Sequence, residues 1–443
     1  MKRLCIDSVI VGFALFAMFF GAGNIIFPPY VGLTGGPEWF LGYICYYIAD
    51  VGLALLAIFA MLKANSIDKV EGIMFRLGKK PALLMMGAAV VCLGPLLAVP
   101  RTGALTYSMA VVNLAGADTT LLQVISTVVY FALVFAFSIR ESALVDIVGR
   151  FLTPLLVAGL LLMIILGTLN PIGPISDKPM IDNVVWTGIS SGYQTLDVLA
   201  ALVFGLIVVN ALKAKGYTSD SHKFISVGIA SLIAGLLLLV VYGGLCYLGA
   251  QVSTIYPEDM DKGKMVVNIA GMIFGGTGAT ILGVTVALAC LTTGVALTGA
   301  TATFFNTLSK GKISYQTVVI IVCAFSTIMA NKGLEYIIAL AAPILTFIYP
   351  GALVVVILSL FDSHIKNDNV FRFATAGALV VSFCEVMGWY FPETFSFIKG
   401  LPFEFYGFGW VFPAVVCGVI GLLVKAPKAH VQEDPIDFGL GDQ

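Results

Sequence analysis

The sequence predicts an all-α integral membrane protein of about twelve transmembrane helices, and three observations carry that prediction. Of its 443 residues, 59% are hydrophobic. Only 11% are charged, against roughly 25% in soluble domains. Apolar stretches near the roughly 20 residues that a helix needs to cross a bilayer recur along the whole chain, between short polar interruptions.

The spans fall at about 6–28, 39–62, 82–112, 119–139, 143–169, 190–212, 223–250, 278–308, 313–330, 336–361, 370–391 and 407–424. The first follows Lys2-Arg3 and in outline imitates a secretory signal. It continues through Phe27-Pro28-Pro29, however, and eleven more spans follow, so it is read as a retained helix. One transmembrane domain, 1–425, is expected. If the first five spans form one unit (about 6–169) and the next five a second (about 190–361), the odd number of crossings inverts the second unit in the membrane, and spans 1 and 6 would be counterparts. Two further C-terminal helices and a polar cytoplasmic tail, 426–443, end the chain.

Lys and Arg collect in cytoplasmic loops. With the N-terminus inside, eighteen of the 24 fall on the cytoplasmic side, five (Lys178, Lys262, Lys264, Lys332 and Lys399) fall outside, and Arg101 lies within a span. Both termini are therefore expected in the cytoplasm. The eight cysteines sit singly in or beside apolar spans and read as packing residues.

Charges at membrane depth are costly unless paired or facing a wet cavity. Asp50 in span 2, Arg101 in span 3, Asp197 in span 6 and Glu385 in span 11 qualify. At 1.5 Å per residue, Arg101 and Asp197 lie at similar depth, so they form a candidate ion pair or gate. Asp50 and Glu385 read as charges that lock helices together, Asp197 as functional.

Span 1, VGFALFAMFFGAGNIIFPPY, is interrupted by Gly21-Ala22-Gly23-Asn24. Two readings stand. Small residues can mark close helix packing, or the break can open a site. In the second case, amides beginning the outer half-helix suit a carboxylate and carbonyls ending the inner half suit a cation. Span 6, SSGYQTLDVLAALVFGLIVVN, gives a weaker break signal around Gly192, Thr195 and Asp197. Broken helices at matching positions of inverted repeats point to a midplane transport site. Span 8 sets Thr292 beside Thr293 at its midpoint, with Ala289 one turn earlier. Hydroxyls and carbonyls make the oxygen shell a hard cation accepts, although adjacent threonines also bond back to their own helix.

The strings FFGAGNIIFPPY, GPLLAVPRTGALTYS, TLDVLAALVFG and LACLTTGVAL resemble the bacterial branched-chain amino acid carriers (the LIVCS, or BrnQ-like, family), nearly end to end. That family is similar in architecture to LeuT-type transporters, with two inverted five-helix repeats. The resemblance implies that the amides of Ala22 and Gly23 bind a substrate carboxylate, which Tyr107 also hydrogen-bonds. It implies that Asn24 and Thr195 serve a first cation site, that Asp197 faces the substrate amine, and that Phe204 and Leu297 line the side-chain pocket. The carbonyls of Ala17, Phe20 and Ala289 with the hydroxyls of Thr292 and Thr293 would form a second sodium site. A sodium symporter of leucine, isoleucine and valine follows as the expectation, with proton coupling through Asp197 as the alternative. No covalent cofactor, nucleic acid or obligate protein partner is expected. An enzyme fits poorly: His222, His364 and His430 fall in predicted loops or the tail, and neither HExxH nor GxSxG occurs.

Overall fold

The computed structural model describes residues 2–63, 72–139, 143–203 and 220–424, and among them every regular element is helical. Span 1 is α1 (Lys2–Phe19) and α2 (Ala22–Gly35), separated at Phe20 and Gly21. α2 runs through Pro28 and Pro29, beyond the end expected at 28. A proline inside a helix removes the donor to the carbonyl four residues back, here those of Asn24 and Ile25. The helix persists because neighbours hold it: every α2 residue except Tyr30 is buried.

Span 2 is α3 (Trp39–Tyr47) and α4 (Leu53–Lys63), joined by a wide π-helical turn, Ile48–Gly52, that contains Asp50. Such turns concentrate at functional positions. Span 3 is α5 (Lys79–Val91), α6 (Ala98–Thr106) and α7 (Val112–Ala115), with π turns at Cys92–Leu96 and Tyr107–Val111. α8 (Thr120–Ser138) and α9 (Ala143–Leu169) complete the first unit. The second unit holds α10 (Val184–Thr195), α11 (197–203), α12 (Asp220–Ala250), α13 (Lys262–Leu308), α14 (Tyr315–Ala330) and α15 (Leu334–Ser359). α16 (Asp368–Tyr390) and α17 (Val411–Leu423) pack mainly on each other, with α16 also against α15.

Among the described residues these helices fall on the expected spans, with α2 and α13 running past the expected ends and 204–212 of span 6 outside the described residues. α13 starts at Lys262, sixteen residues before the expected 278, and turns sharply at Gly275 (φ 75°, ψ 178°). The segment before Gly275 is too short and too lysine-bearing to read as a span. It stays helical because glycine alone takes that backbone geometry readily.

α2 sits at the centre, packed on α3, α10, α12 and α13, while α6 packs on α13 and α15. Exposed Leu, Ile and Val side chains cover α8, α14 and α17, the surface a lipid solvent requires. Exposed aromatics, among them Tyr390, Phe391, Phe403 and Phe405, cluster between α16 and α17, as in the aromatic belts of membrane interfaces.

Candidate functional site

Both counterpart helices break at the same place in space. Gly21 is extended (φ −105°, ψ −170°), so α2 opens with the Ala22 and Gly23 amides free of any side-chain cap. Span 6 breaks at Leu196, which takes a left-handed conformation (φ 72°, ψ 10°) at the end of α10. That geometry costs a non-glycine residue about 1–2 kcal/mol, and strain of this kind is retained mostly at functional positions. Span 6 is thus unwound without the glycine that would have announced it.

Arg101 from α6 closes the carbonyl end of α10. Its Nη1 donates to the Gln194 carbonyl at 2.5 Å and its Nη2 to Gln194 Oε1 at 3.3 Å. Its guanidinium lies 5.5 Å from the centre of the Phe27 ring. A cation at a helix C-terminus complements the dipole there. This corrects the expected ion pair of Arg101 with Asp197, because the guanidinium fork is committed to Gln194. Arg101 instead flanks the N-terminal end of α2: a Cβ on Gly23 would lie 3.3 Å from Arg101 Nη1 and 3.3 Å from Thr195 Cα. A side chain at this position would require Arg101 or the Thr195 backbone to give by a few tenths of an ångström.

Asp197 joins a second carboxyl. The Asn24 amide nitrogen donates to Asp197 Oδ2 at 3.0 Å, to Asp50 Oδ2 at 3.2 Å and to the Tyr242 hydroxyl at 2.6 Å. Its carbonyl oxygen accepts from Gly21 N at 3.2 Å. Asn24 therefore bridges two acids and caps its own helix, whereas the expectation had its oxygen on a cation. Thr195 Oγ1 lies 2.8 Å from Asp50 Oδ1 and 2.6 Å from the Gly192 carbonyl. Both acids lie within 3.2 Å of the one Asn24 nitrogen, and Asp50 is fully buried. Among the described residues no Lys or Arg forms a salt bridge with either.

Asn24, Thr195, Asp197 and Arg101 face one cavity of about 50 Å3, which Asp50 and Tyr242 do not line, with room for a few water molecules. Of the expected site residues, Ala22, Gly23, Asn24, Thr195, Asp197, Thr293, Leu297 and Arg101 line it. Phe19, Leu93, Ala98 and Ala200 add apolar wall that the sequence reading did not single out. Phe204 lies outside the described residues.

Other expected residues are elsewhere. The Tyr107 hydroxyl donates to Asp118 Oδ1 at 2.6 Å and is 3.1 Å from the Thr119 carbonyl, away from the cavity lining. The cause is electrostatic: the Lys264 ammonium beside Asp118 (2.5 Å) holds that carboxyl below the usual carboxylate range, so an ionised acceptor captures the phenol. Ala17, Phe20, Ala289 and Thr292 do not line the cavity, and the Thr292 hydroxyl donates to the Ala289 carbonyl at 2.9 Å. Two of the five groups expected to hold a second cation are thus bonded to one another.

Asp50 is the principal residue the sequence reading undervalued. Its signal was present, a lone carboxylate at the centre of a span, but its partners are 26, 145 and 147 positions away, at Asn24, Thr195 and Asp197.

A family model described as branched-chain amino acid transport protein matches residues 5–428. A relative from Staphylococcus saprophyticus is 33% identical over 440 residues, covering 95% of this chain and 96% of its own. Another from Staphylococcus aureus (strain bovine RF122 / ET3-1) is 32% identical over 455 residues, covering 98% and 99%. Both bear the provisional name branched-chain amino acid carrier protein. Among solved structures, the inward-facing conformation of Mhp1 matches with TM-score 0.57 at 14% identity, covering 93% of this chain and 90% of that one. Mhp1, a nucleobase-cation-symport-1 family transporter, in a closed conformation with bromovinylhydantoin bound, matches with TM-score 0.54 at 13% identity, covering 93% and 92%. The LeuT-type fold implied by the sequence strings is thereby shown. The chain, a multi-pass membrane transporter rather than an enzyme, belongs to the branched-chain amino acid transport protein family.

Proposed function

We propose that this protein imports leucine, isoleucine and valine across the bacterial cytoplasmic membrane by symport with sodium, through alternating access, with both termini in the cytoplasm. One observation carries the reading: a positive and a negative pole face a single cavity. The Ala22 and Gly23 amides and Arg101 form the first, Asp197 the second. A free amino acid at neutral pH carries those two charges in reverse, and Leu93, Ala98 and Leu297 leave apolar wall for its side chain. Two opposed charges in a dry site reject ligands that lack either partner, because the unmatched pole stays desolvated and unpaired.

Sodium coupling has support from the hydroxyls of Thr195 and Thr293 on the cavity wall, oxygen ligands of the kind hard cations take. The second site drawn through Ala17, Phe20, Ala289, Thr292 and Thr293 keeps oxygen lone pairs for a cation even while Thr292 donates to the Ala289 carbonyl. A proton-coupled cycle of the same substrates is the second reading, favoured by the ionisable Asp197 at the cavity. The test is uptake of labelled leucine into proteoliposomes holding the purified protein, under an imposed sodium gradient and separately under a proton gradient. Uptake driven by sodium is expected. Uptake driven only by the proton gradient selects the second reading, and none under either contradicts both.

A further inference from the structure

The sequence strings account for Asp197 but leave Asp50 without a role, and the surroundings of Asp50 are not those of a structural charge. A helix-locking carboxylate at membrane depth pairs with a cation or spends its lone pairs on fixed donors. Asp50 does neither fully. Each of its oxygens takes one donor, Thr195 Oγ1 at 2.8 Å and the Asn24 amide at 3.2 Å. The Asn24 nitrogen is shared with a second acid, Asp197, and Arg101 is bonded to Gln194. The donor that bridges the acids is oversubscribed. The Asn24 amide has two N–H bonds, yet three acceptors lie within 3.2 Å of its nitrogen: Asp50, Asp197 and the Tyr242 hydroxyl.

A second, independent feature points to a missing ligand. The Tyr46 hydroxyl, on a fully buried residue in the helix that leads into Asp50, faces the Asp50 carboxyl without closing a hydrogen bond to any atom. The Tyr349 hydroxyl, also buried and unpartnered, lies within electrostatic reach of both acids. Buried hydroxyls of this kind are rarely left unsatisfied. Two acids and an orphaned phenol, gathered at paired helix breaks with Thr195 Oγ1 beside Asp50, form an oxygen shell in which, among the described residues, no Lys or Arg forms a salt bridge with either acid.

We propose that Asp50 and Asp197, with the Thr195 hydroxyl, form a binding site for one desolvated monovalent cation. Tyr46 completes the shell, and Asn24 is a positioning residue that holds the two carboxyls at a common distance. The charge is right for either of two monocations the transport reading supplies, sodium or the ammonium group of the amino acid. The proposal rests on that reading for which cations reach the cavity.

Two measurements on the purified full-length protein separate the sources. The first is the rise in thermal midpoint on replacing choline chloride with sodium chloride, without amino acid. The second is the affinity for labelled leucine at saturating sodium. If sodium occupies the site, Asp50→Asn raises the sodium concentration for half-maximal thermal shift at least tenfold and leaves leucine affinity within threefold. If the ammonium occupies it, Asp50→Asn weakens leucine binding at least tenfold and leaves the sodium response unchanged. Loss of both supports a cation shared between the two roles. Changes below threefold in both overturn the proposal. Should Asp50→Asn not fold, Asp50→Glu keeps the charge and moves it by one methylene. It is expected to shift at least one response threefold or more, and no shift in either overturns the proposal equally. A wild-type protein that shows the sodium shift but binds no leucine contradicts the transport reading alone, and the sodium arm still decides the site.

Discussion

Arg101 shows how one buried charge is put to work by its surroundings. Both terminal nitrogens bond Gln194, and Phe27 covers the guanidinium face. Lysine keeps the charge but cannot reproduce a planar fork. Arg101→Lys is therefore expected to cost about 2–3 kcal/mol of stability, the scale of a lost hydrogen bond from a charged group, and to weaken leucine uptake at least tenfold. Thermal unfolding and uptake kinetics of the same preparation check both. At Thr293, on the cavity wall, Thr293→Ala is expected to weaken the sodium dependence of uptake more than leucine recognition. A sodium titration of initial uptake rates measures the difference, and an unchanged titration removes Thr293 from the site.

At the scale of elements, the two broken helices differ in how openly they announce themselves. Gly21 and Gly23 made the first break legible, along with the residues beside it, Ala22 and Asn24. The second break was legible only as the counterpart of the first, because Leu196 carries a side chain through a left-handed turn and no residue type there signals it. Arg101 was found at the right depth but given the wrong partner, since depth says nothing of rotation about a helix axis. Tyr107 was misplaced for a similar reason: its acceptor, Asp118, lies in a short loop beyond its own span. Packing between elements makes its own demand at Gly192, where an added Cβ would meet Ala49 Cβ at 2.8 Å and Asp50 N at 3.0 Å. Gly192→Ala is expected to destabilise by about 1–3 kcal/mol, the usual cost of overpacking, and to displace the turn that carries Asp50. Gly159→Ala in α9, where nothing lies within 4 Å, is the matched control and should be neutral or stabilising by up to about 1 kcal/mol. Thermal midpoints of the two variants, measured with and without sodium, give the comparison.

Across the whole molecule, ionic contacts stand at both ends of the transport axis. On the expected outer side, Lys262 at the start of α13 pairs with Glu335 at the start of α15 (2.8 Å) and lies 4.1 Å from the centre of the Tyr30 ring on α2. On the expected inner side, Arg76 pairs with Asp362 and Asp368 (2.5 Å each), donates to the Ile365 carbonyl at 2.6 Å and covers Phe371 at 4.4 Å. Arg76 thus ties the short helix Gly72–Leu77, after span 2, to the connection between α15 and α16. Contacts that exist in one conformation and not another set the balance between them. Arg76→Ala is expected to raise the labelling rate of a cysteine introduced at the cavity wall by a membrane-impermeant reagent applied from the inner side. An unchanged rate removes this cluster from gating. The same scale holds the central claim, a cavity whose two poles recognise a zwitterion. Competition against labelled leucine by 4-methylpentanoate, which lacks the amine, and by 3-methylbutylamine, which lacks the carboxylate, tests it most directly. The account predicts that unlabelled leucine competes and that both truncated analogues are weaker by at least a hundredfold, about 2.7 kcal/mol; competition by either analogue at leucine's own concentration would contradict it.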